Sequence, residues 1–181
     1  MTSQDDVRKA GSTADFRYDL VPGDAGERTA VLLRVLSRQE AVVIPESLEG
    51  CPVRTIGARA FESHPLRSVV FPAGLETIGR GAFRNCRKLA RIDLPNSLRV
   101  LRAGAFLGCT GLREAVLPEG LRELGTADPS RWEPVLEGVF EGCTNLEAVR
   151  VPDSVVVMGR RTFQGCARLK RMDLPRHIIR I

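Results

Sequence analysis

Aromatic side chains are scarce in this sequence: they make up 5% of its 181 residues, with a single Trp and a single Tyr. A compact enzyme core usually relies more on rings, whereas a core stacked from Leu, Ile and Val does not need them. Only two histidines are present. No apolar stretch approaches the ~18 residues that a membrane span requires. These scarcities argue against a histidine-based catalytic core and against a membrane-spanning segment.

The charge is mildly positive, with a formal net value of +5 and a pI of about 9.3. Such an excess favours acidic partners or nucleic acid, but an arginine-rich composition is an equally simple explanation. The N-terminal residues 1–6 (MTSQDD) lack the cationic start and apolar run of a secretory signal. We therefore expect a cytoplasmic protein as the chain is written, and a cell-surface or secreted one if an export signal has been removed.

A repeat dominates the sequence from Pro72 onward. The prolines at 72, 95 and 118 are 23 residues apart, as are those at 152 and 175; the gap from 118 to 152 is 34, one repeat plus eleven residues. An irregular first repeat begins at Pro45, with His64 where the later repeats have Cys. Each later proline leads to a Phe, a Cys and a Leu in fixed register: Phe83, Cys86 and Leu89; Phe106, Cys109 and Leu112; Phe140, Cys143 and Leu146; and Phe163, Cys166 and Leu169.

The residues before each proline alternate between apolar and polar, as in the run LARIDLP at 89–95. Alternation predicts a short strand with one buried face. Pro95 lacks a backbone donor, so the strand is expected to end there. Ala105 and Phe106 are expected to open a short helical or 3₁₀ turn on the opposite side. Since one 23-residue unit cannot bury its apolar side alone, the units must stack and share a core.

This pattern, with "IP", "L", "IG", "AF", "C" and "LP" recurring in register from about Val43 to Ile181, resembles the BspA-type (Treponema-type) bacterial leucine-rich repeat. The resemblance implies a curved solenoid used for protein binding, often on cell surfaces. We therefore expect an α/β repeat solenoid: a right-handed leucine-rich-repeat coil of 23-residue repeats with an N-terminal β-hairpin cap.

Three regions are expected along the chain. Residues 1–14 are polar and aperiodic, which predicts disorder. Residues 15–44 contain two strand-like runs around a Pro-Gly turn, which predicts a hairpin that caps the solenoid. Residues 45–181 form the solenoid, with an insertion at about 126–136. The apolar end at 177–181 would leave a strand edge bare, so we consider a homodimer through the C-terminal end.

The cysteines invite a metal or disulfide interpretation that the spacing does not support. One Cys per turn gives a row with parallel Cβ vectors, which suits neither a tetrahedral zinc site nor a disulfide. We expect buried filler residues, no metal and no cofactor, while Cys51 lies outside the row and His64 takes a core position. Since no nucleophile or phosphate-loop motif is present either, we do not expect an enzyme.

Two rows of side chains are predicted to point outward from the strands. The first row is Ser68, Arg91, Glu114, Ala148 and Arg171, and the second is Val70, Asp93, Val116, Arg150 and Asp173. The charges alternate in sign and no basic track emerges, which argues against a nucleic-acid groove.

A protein partner suits such a mixed surface, and the insertion adds Arg131 and Trp132, residue types enriched at interface hot spots. The sequence therefore predicts a protein-interaction module whose candidate partner-binding residues are Arg91, Asp93, Glu114, Val116, Arg131, Trp132, Arg150, Arg171 and Asp173. Two alternatives stay open: Trp132 packs back onto the solenoid, or the chain is a structural, self-associating segment of a larger bacterial cell-surface protein.

Overall fold

The computed structural model of the chain describes residues 13–23, 26–127 and 137–176. Within these ranges, the only helix is a 3₁₀ helix, Thr13–Asp15. The strands are short and are, in order, β1 Phe16–Pro22, β2 Arg28–Val35, β3 Ala41–Val43, β4 Ser47–Leu48, β5 Cys51–Ile56, β6 Ser68–Val70, β7 Thr77–Ile78, β8 Arg91–Asp93, β9 Val100–Arg102, β10 Glu114–Val116, β11 Glu123–Thr126, β12 Ala148–Arg150, β13 Val157–Met158 and β14 Arg171–Asp173.

The strands form a β-solenoid because each repeat adds one strand to each of two sheets. One sheet, here the long sheet, has the order β1-β2-β5-β7-β9-β11-β13, with β4 beside β5. The other side, here the short-strand face, consists of the sheet β8-β10-β12-β14 and the neighbouring pair β3-β6. Successive turns pair in parallel on both sides: in register on the short-strand face, and with register irregularities at Ala30/Val31 and Leu124/Thr126 in the long sheet.

The prolines mark the corner between the two sides. In each repeat a short strand stops two residues before the proline, and the carbonyls of Pro72, Pro95, Pro118 and Pro152 each accept a hydrogen bond from the residue three positions later. The distance is 3.0 Å both for Leu98 N to Pro95 O and for Leu121 N to Pro118 O. Proline therefore ends the ladder and opens the turn into the long sheet, as its missing donor predicts.

The third side of each described repeat, here the turn side, contains no helix, so the α/β part of the predicted fold class is not confirmed. The expected helical turn at Ala105 and Phe106 is a series of tight turns without a helix, and the described repeats contain no helix at all. The reason is local: Gly104 and Gly108 have φ of +64° and +70°, and a left-handed residue interrupts a right-handed helix. The backbone instead bonds to the next turn, as from Phe83 N to Ala105 O at 2.8 Å.

Phenylalanine side chains form the centre of the core. One buried or half-buried ring per turn stacks on the ring of the next turn, with planes within 15° of parallel. The centroid separations are 4.8 Å for Phe61–Phe83, 5.2 Å for Phe83–Phe106, 5.7 Å for Phe106–Phe140 and 5.8 Å for Phe140–Phe163. Stacking at these distances adds to the hydrophobic gain of burying each ring.

The first strands form an antiparallel hairpin that joins the long sheet. β1 pairs with β2, with a register irregularity between Arg17 and Tyr18, and β2 pairs in parallel with β5 of the first repeat. Phe16 and Val35 are buried opposite each other. The hairpin thus lies against the first turn of the solenoid. Residues 1–12, most of the segment predicted to be disordered, lie outside the described residues.

The last described turn is less well covered than the others. The central residue of the short strand is buried in β8, β10 and β12 but is 44% exposed as Met172 in β14. Leu174 is 47% exposed, while the ring of Phe163 is only half-buried. Residues 177–181, on which we based the prediction of a bare edge, lie outside the described residues.

Candidate functional site

The short-strand face gathers most of the predicted partner-binding residues. β8, β10, β12 and β14 lie in exact parallel register, so Arg91, Glu114, Ala148 and Arg171 form one row and Asp93, Val116, Arg150 and Asp173 form the next. Neighbouring strands of a sheet are about 4.8 Å apart. All of these residues are exposed except Ala148, which is half-buried. Arg131 and Trp132 lie outside the described residues.

Several charges on this face are already paired with one another. Arg91 Nη1 lies 2.9 Å from Glu114 Oε2, and Arg91 Nη2 lies 3.1 Å from Asp93 Oδ1. The hydrogen bonds to Asp93, and then the attraction of Asp93 and Glu114, raise the pKa of Arg91. These side chains are more than half exposed, so each pair contributes little to stability. Their main effect is to cancel charge on this part of the face.

Arg150 has a partner that the sequence did not indicate. Its Nη1 lies 3.0 Å from Oε1 of Glu119, which follows the proline corner after β10. Only the fold shows this pair, since the two residues are 31 positions apart and belong to different turns. The turn after the proline therefore contributes to the face together with the strands.

A shallow depression of about 410 Å³ lies on the C-terminal half of the face. Val116, 46% exposed, provides an apolar surface there. Arg171 and Asp173 also line it, and neither side chain has an ion pair or hydrogen bond within the part of the chain that the structure describes. An apolar surface beside two unpaired charges of opposite sign can bind both an apolar and a polar group of a partner.

The insertion is bracketed by arginine contacts on both sides. Before it, Arg102 Nη1 donates to Glu123 Oε2 at 2.9 Å and to the Ala127 carbonyl at 2.8 Å. After it, Glu137 accepts from Arg84 and, at 3.3 Å, from Arg80, both two turns earlier. Burial opposes ionisation of Glu137, but the two arginines outweigh it and lower its pKa. Thr126, the first residue of the predicted insertion, ends β11, and residues 128–136 lie outside the described residues.

The four ladder cysteines hydrogen-bond between turns. Each thiol donates to the Phe carbonyl of the preceding turn, over 3.0 Å from Cys86, 3.1 Å from Cys109 and 3.2 Å from Cys143 and Cys166. Burial raises the pKa of Cys86 and of Cys143 to about 12. Within residues 13–23, 26–127 and 137–176, no group of His, Cys, Asp and Glu has the arrangement of a metal site.

His64 occupies the equivalent position in the first turn. It is 9% exposed, and its Nε2 lies 2.8 Å from the Ser37 carbonyl. Because a carbonyl only accepts, Nε2 donates this hydrogen bond. Nδ1 is buried, and no described donor bonds to it. The side chain therefore ties the first turn to the segment after the hairpin, where a cysteine would be too short a link to Ser37.

No helix among the described residues has the length and apolar character needed to cross a membrane.

A family model for the BspA-type leucine-rich-repeat region matches the chain in six copies, over residues 37–127 and 129–181. The fold is also similar to solved structures. A leucine-rich-repeat protein of T. pallidum is 29% identical, with a TM-score of 0.68, over 94% of this chain and 85% of that one. A leucine-rich cell-surface protein of Faecalibacterium prausnitzii is 28% identical, with a TM-score of 0.65, over 86% of this chain and 37% of that one.

A leucine-rich-repeat protein of Bacteroides capillosus is 30% identical, with a TM-score of 0.52, over 68% of this chain and 92% of that one. No curated protein sequence matches the chain. The comparisons indicate no catalytic family, and leucine-rich-repeat proteins are generally non-enzymatic scaffolds.

The buried thiols predict a loss of stability at alkaline pH. The unfolded chain releases a cysteine proton near pH 9, whereas folded Cys86 and Cys143 hold theirs to about pH 12. Their contribution is therefore complete below pH 9 and falls as the pH rises toward 12, by about 1.4 kcal/mol per unit for each thiol. Urea unfolding at a series of pH values from 8 to 11 measures this slope.

The double variant Cys86→Ala/Cys143→Ala is expected to start less stable, because it loses two packed side chains, but to show a flatter decline above pH 9. Cys51→Ala, which removes a thiol outside the ladder, is the matched control. Identical slopes in the wild type and the double variant would contradict the claim that these two thiols cause the loss of stability above pH 9.

Proposed function

Because the chain belongs to the BspA-type leucine-rich-repeat family, we propose that it is a protein-binding module whose partner docks on the short-strand face. The observation that carries this proposal is the depression on this face, which the exposed apolar side chain of Val116 on β10 lines together with Arg171 and Asp173 of β14, two opposite charges that have no partner among the described residues. The parallel strands of this face hold the outward side chains at fixed spacing, and such preorganisation lowers the entropy cost of binding.

The mixed charge of the face favours a protein over a nucleic acid. Arg91 is neutralised by Asp93 and Glu114, and Arg150 by Glu119. A phosphate backbone needs several cations that are free to displace its counterions. A protein surface can instead match the remaining charges of opposite sign and cover the apolar surface of Val116.

The insertion is a second element of the proposed interface. Arg131 and Trp132 have the chemistry of binding anchors, and the contacts of Arg102 and Glu137 fix both ends of the segment to the solenoid. The alternative from the sequence, in which Trp132 packs on the solenoid, is distinguished by the same experiment that tests the face.

Affinity capture from a lysate of the source organism, followed by measurement of Kd for the captured protein, tests the proposal. The variant Val116→Asp/Arg171→Glu is expected to bind at least about tenfold more weakly, because it places charge on the apolar surface and reverses an unpaired cation. Arg122→Glu, an exposed change outside this face, is the matched control and should bind as the wild type does.

If Trp132→Ala loses binding while the double variant of the face keeps it, the partner binds the insertion and not the short-strand face. Equal binding by the wild type, the double variant and Trp132→Ala would contradict both parts of the proposal.

The exposed last turn favours a second candidate function, self-association as a structural segment. Met172 and Leu174 are 44% and 47% exposed where the preceding turns bury the equivalent residues. A further turn or a second copy that packed there would bury them. The similar Faecalibacterium prausnitzii protein is described as a cell-surface protein, and the matched region is 37% of its chain.

Light scattering over a range of concentrations tests this candidate. The wild type is expected to form dimers as the concentration rises, and Met172→Glu to stay monomeric, because a buried unpaired carboxylate would oppose the contact. Val70→Glu, which adds the same charge at an equally exposed apolar residue on β6, serves as the control. A wild type that is monomeric at every concentration would rule out self-association through this end.

A further inference from the structure

A second groove, of about 680 Å³, lies between the turn side of the first repeat and the end of β2 with the residues that follow it. Its volume falls within the ~300–1,000 Å³ that is typical of ligand clefts. It is lined by residues 33–38 on one side and 58–65 on the other. None of the residues of the short-strand face lines it, so it is separate from the interface proposed above.

The groove carries cations that lack acidic partners. Arg34 and Arg38 line it and are exposed, and neither makes an ion pair or hydrogen bond within the described ranges of the chain. Arg17 lies directly opposite Arg34 in the β1–β2 pairing, and like charges in this arrangement repel each other. An anion bound near Arg34 would relieve that repulsion.

The groove also carries free backbone acceptors. Along the turn side, N–H groups of one turn donate to carbonyls of the next, as from Arg59 N to Arg80 O at 3.0 Å and from Ser63 N to Arg84 O at 2.7 Å. Ala58 and Glu62 are the equivalents of Arg80 and Arg84 in the first turn. Among the described residues, no donor bonds to either of their carbonyls.

Only the middle carbonyl of this row is satisfied, because Val35 N donates to Ala60 O at 3.1 Å. The ladder of the turn side is therefore incomplete along this groove. A row of unpaired backbone carbonyls can accept hydrogen bonds from an added extended chain, as the edge of a sheet does in a common mode of peptide recognition.

An apolar side chain completes the set. Leu36 is 58% exposed and lines the groove beside Arg34 and Arg38. A single ligand class matches all three features, since an extended peptide has N–H donors for the carbonyls, apolar side chains for Leu36 and, when it is acidic, carboxylates for the arginines. A polyphosphate has no N–H donors for the carbonyls and no apolar group for Leu36.

We propose that this groove binds an extended acidic segment of a partner protein, through the backbone carbonyls of Ala58 and Glu62 and the side chains of Arg34, Arg38 and Leu36. It would be a binding site additional to the short-strand face, and neither site depends on the other.

Fluorescence anisotropy with a labelled synthetic peptide in which glutamate alternates with leucine tests this proposal. The full chain is expected to bind the peptide at low salt, and Arg34→Gln/Arg38→Gln to bind it about tenfold more weakly. Arg113→Gln/Arg168→Gln removes the same charge from exposed positions outside the groove and should change the affinity less than about twofold. Both arginine pairs are exposed, so thermal unfolding should be the same for all three proteins.

Two altered probes separate the parts of the site. A peptide with glutamine in place of glutamate should bind weakly to every protein, since the arginines then have no anion to pair with. A peptide with the same side chains and N-methylated backbone amides should also bind weakly, because it cannot donate to Ala58 O and Glu62 O. Equal binding of the methylated peptide would overturn the backbone contacts.

Other outcomes would overturn the proposal as a whole. If the acidic peptide does not bind at low salt, the groove is not a binding site for acidic peptides. Equal weakening in both arginine variants would show that binding depends on the net charge of the protein and not on the groove. Single-stranded DNA that binds more tightly than the peptide, with the same dependence on Arg34 and Arg38, would identify a nucleic-acid site instead.

Discussion

The contact between one turn and the next is the constraint on which the rest of this structure depends. Until it packs on a neighbouring turn, each repeat has unpaired backbone groups on its strands and one uncovered face of its phenylalanine ring. The ring of Phe106, for example, lies 5.2 Å from that of Phe83 and 5.7 Å from that of Phe140. The thiol of Cys109 donates to the Phe83 carbonyl across the same junction. Stability is therefore a property of pairs of turns.

The same stacking produces the candidate binding surfaces. Parallel pairing in register places Glu114 beside Arg91 and Val116 beside Arg150, so each outward position becomes a row at fixed spacing. Where stacking is complete, backbone groups are satisfied and only side chains remain for a partner. Where it is incomplete, as at Ala58 and Glu62, backbone acceptors remain as well. The two proposed sites differ in kind for this reason.

The 23-residue period and the alternation before each proline were enough to predict the solenoid and both outward rows. Successive side chains of a strand point to opposite faces, so Arg91 and Asp93 point outward because Ile92 and Leu94 are buried. The missing helix was not predictable from apolar spacing, since it follows from left-handed backbone at positions such as Asn85 and Gly108. Contacts such as Glu119 with Arg150 and Glu137 with Arg80 were also missed, because they join turns whose separation in sequence carries no periodic signal.

Urea unfolding of Phe106→Ala and Phe163→Ala tests the dependence on inter-turn stacking most directly. Phe106 is fully buried between two rings, whereas Phe163 is half-buried in the last described turn. We expect Phe106→Ala to lower the free energy of unfolding by about 3–5 kcal/mol in a single cooperative transition, and Phe163→Ala to lower it by less than half as much. Equal losses for the two variants, or a transition that Phe106→Ala leaves unchanged, would contradict the account.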